Sequence, residues 1–143
     1  MAGRIRPDRS LRDARRIDAS PLVFGHPEYP ALLAAIPDPP VVLWVRGRME
    51  LLGYPLLALV GARRCSTGGV EQATRFVSGC VTEGWNIVSG GARGIDSAAH
   101  REAMRGGSPT VVVLGAGLDR PYPPEHGDLF EEVVGEGGTV VSE

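Results

Sequence analysis

Lysine is absent from the 143 residues: all 15 basic side chains are arginine. Chemistries built on a lysine amine are thereby excluded, including the Walker phosphate loop, Schiff-base catalysis and the kinase lysine. Cysteine is scarce. Cys65 and Cys80 make neither a disulfide framework nor a metal-ligand cluster, so reduced thiols are expected, with Cys80 a small apolar side chain on a helix. Long apolar runs are also missing. None reaches the roughly 20 residues a spanning helix needs, and the arginine-rich start lacks the apolar segment and cleavage site of a secretory signal. A cytoplasmic location with no membrane partner is expected. No Ser-His-Asp arrangement, metal-ligand spacing or Gly-x-Gly-x-x-Gly fingerprint occurs, so neither a metal nor another cofactor is expected.

The residues that are present suit a soluble globular domain, with 43% apolar and 22% charged side chains. Charge is unevenly spread. Met1 to Arg16 carries six arginines against Asp8 and Asp13, a net +4, while Ile17 to Glu143 carries nine arginines against 15 acids, a net −6. Residues 1–20 therefore read as an arginine-rich, flexible segment, either a solvated terminus or an electrostatic arm for nucleic acid. The acidic body argues against broad duplex binding and leaves room for a local arginine-lined groove.

Residues 21–55 form a proline-rich lead-in with a short helix over Pro30 to Ala35 and a first strand over Val41 to Val45. From residue 56 onward, apolar runs alternate with glycine-containing loops and helical stretches. Strands are expected at 56–60, 85–88, 110–114 and 139–142, and helices at 70–83, 95–105 and 125–134. Continuous Val, Ile and Leu strands alternating with helices predict an α/β domain, doubly wound around a mostly parallel, Rossmann-like sheet covered on both faces. Ligands of such sheets bind at the carboxyl ends of the strands.

Three loops should share that rim. In Ser89-Gly90-Gly91-Ala92-Arg93-Gly94 a strand ends in glycines that let the backbone approach a ligand, a helix N-terminus follows, and Arg93 offers a guanidinium fork to phosphate. The alternative is close packing of helix on strand. Arg63 and Arg64, after Gly61 and Ala62, stand at a strand end where an arginine needs an anion or an acidic partner such as Asp96 or Asp119. Ser66, Thr67, Gly68 and Gly69 either donate to phosphate or form a plain helix cap. Tyr122, in the third loop, either stacks on a base or packs between prolines. Asp96 and His100, four apart on one helix face, resemble an acid–base pair, but capping by Asp96 and internal hydrogen bonding by His100 explain them better.

Glu28-Tyr29-Pro30 with Pro39 to Gly47, Val60-Gly61-Ala62-Arg63, Ser89 to His100, and Val113 to Pro124 with Tyr122-Pro123-Pro124-Glu125 together resemble the DNA-processing protein DprA (Smf) family, in order and spacing, from Phe24 to Glu143. The resemblance implies an extended Rossmann-like domain and a non-enzymatic protein of natural transformation and competence. Such a protein binds single-stranded DNA and helps load the RecA recombinase in DNA recombination, as a homodimer at full length. It also implies phosphate contacts from Gly61, Ala62 and Arg63 and from Ser89 to Asp96. Ala62 stands where the family usually has serine, which removes a hydroxyl donor, and Gly91 replaces a usual leucine, which is expected to loosen the loop. The family's Phe-Pro-x-Arg-Asn-Arg segment does not occur in this sequence. A sheet ending at Glu143 should leave an apolar edge unpaired, so a fragment of a longer protein is expected. The Ser89 to Gly94 loop also looks like that of LOG-type phosphoribohydrolases, which hydrolyse nucleoside monophosphates; their Pro-Gly-Gly-x-Gly-Thr loop and catalytic glutamate have no counterpart here.

Overall fold

The computed structural model describes residues 7–143, with side chains from residue 11 onward. The first six residues of the arginine-rich segment lie outside the described residues. Within and beyond that segment, Pro7–Arg16 forms helix α1, with Ala14 buried, and Ala19–Val23 forms strand β1. The chain continues through α2 (Ala31–Ala34), β2 (Val42–Gly47), β3 (Leu56–Ala58), α3 (Thr67–Thr82), β4 (Asn86–Gly90), α4 (Ile95–Arg105), β5 (Thr110–Leu114), α5 (Gly127–Gly135) and β6 (Thr139–Ser142). Strand β1 escapes sequence reading because Pro21 lies inside it. Proline lacks the N–H that a central strand needs, but β1 is an outermost strand, where that loss is tolerated.

The six strands form one sheet in the order β1-β2-β6-β5-β4-β3, in which β3 to β6 are parallel and β1 and β2 are antiparallel additions. The apolar edge expected at β6 is therefore not there: β6 is paired on both sides, and the free edges are those of β1 and β3. Strands β3 to β6 are laid down in sequence order in one direction, so right-handed crossovers bring α3, α4 and α5 to a single face. On that face Val77, Ile87, Ala99 and Ala103 close one core cluster, and Val112, Leu114, Leu129, Phe130, Val133 and Val140 close another. Cys80 packs at the first cluster, as expected of a small apolar side chain, and both cysteines are free thiols. The opposite face buries Val111 and Val141 under Leu22, Tyr29, Leu51 and Leu52 of the lead-in. The oppositely wound helices of a full Rossmann-like sheet are not among the described residues.

Local signals explain the helix limits. Ser66 is the N-cap of α3, its Oγ accepting the Gly69 N–H at 3.1 Å, so the helix starts three residues before the apolar periodicity does. In α4, Asp96, Ala99, His100 and Ala103 form the buried stripe at helical spacing, and Gly106 and Gly107 end it. The predicted last helix is split into a short 3₁₀ turn, Pro124–His126, followed by α5. No helix among the described residues is long and apolar enough to cross a membrane.

Candidate nucleic-acid interface

Parallel strands β3, β4 and β5 put their following loops side by side, and all three contribute to one cleft of about 390 Å³. Arg63 comes from the first loop, Gly90, Gly91, Ala92 and Arg93 with Asp96 from the second, and Gly115, Ala116, Tyr122 and Pro123 from the third. Arg64, Ser66, Thr67 and Gly68 lie outside it. Ser66 acts as the plain cap, and Arg64 points into solvent.

The first two loops are knitted together. Gly94 has φ +79°, a left-handed conformation, and a Cβ there would lie 2.3 Å from the Ala62 carbonyl oxygen. The Ile95 N–H donates to that same oxygen at 3.3 Å. Gly61 in turn leaves room for the Ile95 side chain, which a Cβ would meet at 2.7 Å. These glycines therefore serve close packing of the loops and of α4 against them. Gly91 does not loosen its loop: a Cβ would lie 2.4 Å from Leu114 and 2.8 Å from Phe130, whose side chains fill the space a leucine would take.

Among the described residues, no acceptor takes the N–H groups of Gly91, Ala92, Arg93 or Gly94. Successive free N–H groups ahead of a helix N-terminus form an anion-binding concavity, and α4 adds the positive end of its dipole. Ser89 is turned away from it: the side chain is buried and its hydroxyl donates to the Leu59 carbonyl at 2.6 Å, tying β4 to β3. Asp96 is buried behind the cleft, and its Oδ1 has no hydrogen-bond partner. His100 is fully enclosed, with Nε2 2.9 Å from the Gly90 carbonyl and Nδ1 2.8 Å from the Thr110 hydroxyl. Burial lowers its pKa. With both nitrogens engaged, it is not placed to exchange protons with a ligand.

The two arginines of the cleft differ. Arg63 forms no ion pair among the described residues, so the acidic partners considered for it, Asp96 and Asp119, are not used. Arg93 donates through Nε to Glu125, and Tyr122 lines the same cleft. This ion pair raises the Arg93 pKa and holds the Glu125 carboxyl below the usual carboxylate range. Tyr122 is exposed at the rim, so a face of the ring is open to a base. Sequence reading missed Glu125 as the partner of Arg93, and His126, whose Nδ1 lies 2.9 Å from the Gly91 carbonyl. Both sit in the short turn after Pro123, where no periodic signal marks them. Among the described residues no group of three or more His, Cys, Asp or Glu side chains is arranged to hold a metal ion.

The family described as DNA recombination-mediator protein A matches residues 20–143. The chain is 41% identical over 115 residues to DNA processing protein DprA of Streptococcus pneumoniae, covering 80% of this chain and 40% of that protein. The crystal structure of the Streptococcus pneumoniae protein superposes with a TM-score of 0.84 at 34% identity, over 96% of this chain and 47% of that one. A structure reporting the single-stranded DNA binding mode of DNA processing protein A from Helicobacter pylori superposes with a TM-score of 0.75 at 27% identity, over 88% of this chain and 55% of that one. The chain thus spans about two-fifths of the length of its pneumococcal relative.

Proposed function

Since the chain belongs to the DNA recombination-mediator protein A family, we propose that it binds single-stranded DNA through the phosphate backbone, at the cleft between Arg63 and Arg93. The convergence of three strand-end loops on four free backbone N–H groups supports this reading above all. Phosphate sits in the cradle of Gly91 to Gly94, Arg63 grips it or its neighbour, and Tyr122 offers a ring on which a base stacks. The contacts are to backbone and to a π-face, so binding is tolerant of sequence. In this reading Ser89, Gly61 and Ala62 shape the loops rather than touch DNA, and Arg64 lies next along the path of the strand.

In this reading the protein serves DNA uptake and recombination in the cytoplasm: it holds the incoming strand for delivery to RecA, and it works as a homodimer. It works as a binder rather than an enzyme, because the imagined acid–base partner His100 is sealed and fully hydrogen-bonded. Fluorescence anisotropy of a labelled oligonucleotide, with duplex DNA and a nucleoside monophosphate as competitors, tests the proposal. Salt-sensitive binding that duplex displaces poorly supports it. Displacement by the monophosphate alone would instead favour a nucleotide-processing site.

A further inference from the structure

Histidine is rare in this chain, with three residues in all, yet two of them meet consecutive carbonyls of the anion loop. His100 Nε2 lies 2.9 Å from the Gly90 oxygen, and His126 Nδ1 lies 2.9 Å from the Gly91 oxygen. A carbonyl only accepts, so in each case the ring nitrogen carries the proton. His100 reaches up from α4 inside the fold, whereas His126 reaches in from the turn before α5, its ring held edge-on to Phe130 at 6.1 Å.

In a trans peptide the carbonyl of one residue and the N–H of the next point in opposite directions. The Gly90–Gly91 and Gly91–Ala92 bonds are trans, and their N–H groups, those of Gly91 and Ala92, are two of the four left without an acceptor. Glycine would otherwise leave these planes free to rotate, since it populates both signs of φ almost equally. We propose that His100 and His126 are positioning residues of the anion cradle, fixing the Gly90 and Gly91 carbonyls away from the cleft so that the following N–H groups face the phosphate. The inference rests on the nucleic-acid reading above and adds to it the device that keeps a glycine loop in its binding form. An unpinned loop turns a carbonyl oxygen toward the anion in part of its population, and binding weakens by the fraction so lost.

The test uses His126→Leu and His126→Asn, two side chains with the same branching and number of non-hydrogen atoms, of which only asparagine keeps an N–H donor near the place of Nδ1, with His126→Ala as a second donor-less variant. Affinity for a labelled dT oligonucleotide and the thermal midpoint are read for each, beside Arg63→Ala. The leucine and alanine variants should bind about fivefold more weakly, the equivalent of one lost hydrogen bond. The asparagine variant should recover most of that loss at an unchanged midpoint, a rescue that a packing role does not produce. Equal loss in the asparagine and leucine variants, or wild-type binding in the donor-less variants beside a weakened Arg63→Ala, overturns the positioning role and leaves the nucleic-acid reading standing. Wild-type binding in Arg63→Ala as well overturns that reading and this inference with it.

Discussion

Gly61-Ala62-Arg63 and Gly91-Ala92-Arg93 are the same tripeptide at the ends of neighbouring strands, and the structure treats them differently. The first follows β3, at a free edge of the sheet, and its arginine forms no ion pair among the described residues. The second follows β4, between two strands, where the third loop and the turn before α5 come within reach; Glu125 holds its arginine, His126 holds the Gly91 carbonyl, and His100 holds the Gly90 carbonyl just before it. Identical local sequence therefore yields one arginine free to seek an anion and one that must exchange a carboxylate for it. Position in the sheet decides which.

The largest effect should come from breaking the joint between the loops. Gly94→Ala forces a side chain into a left-handed residue and against the Ala62 carbonyl. The chain should lose about 3 kcal/mol of stability in denaturant unfolding, with DNA binding lost as well. Arg63→Ala should leave stability unchanged and weaken single-stranded DNA binding about tenfold, while flattening the salt dependence by roughly one phosphate contact. The second loop alone leans on a buried imidazole, so acid should weaken it selectively. With the folded pKa of His100 lowered by burial, the unfolded chain takes up the proton first. Stability is complete above the unfolded value near 6.5 and falls by about 1.4 kcal/mol per pH unit below it until the folded ring titrates. A pH series of unfolding midpoints between 5 and 7 checks this, and His100→Gln should remove the slope if it folds. The smallest effect is Glu125→Gln, which frees Arg93 and should raise affinity about threefold, with no gain when Arg93 is already alanine.

Much of the fold was legible because its signals are local. The β4–α4–β5 unit was delimited almost to the residue by an apolar run, a glycine loop, a buried helical stripe and a Gly-Gly stop. Strand β1 and the pairing of β6 on both flanks were not legible: the first carries a proline, and the second depends on an antiparallel partner nearly 100 residues earlier in the chain. At the cleft, Arg63, Arg93 and the glycine loop were readable as chemistry placed at strand ends. Glu125 and His126 were not, because each acts through a contact more than 30 residues away in sequence, and no spacing rule announces it. Gly91 shows the same limit. Its fit against Leu114 and Phe130 is tertiary, so an apparent loosening of the loop is in fact a tight contact.

The measurement that bears most directly on the account is the salt dependence of oligonucleotide binding by the Arg63→Ala/Arg93→Ala double variant against the unaltered chain. If both arginines clamp phosphate, the slope of log affinity against log salt should flatten by about 1.4, two contacts at roughly 0.7 each for a single strand. An unchanged slope in a folded double variant would contradict the phosphate clamp and move the binding surface elsewhere on the molecule.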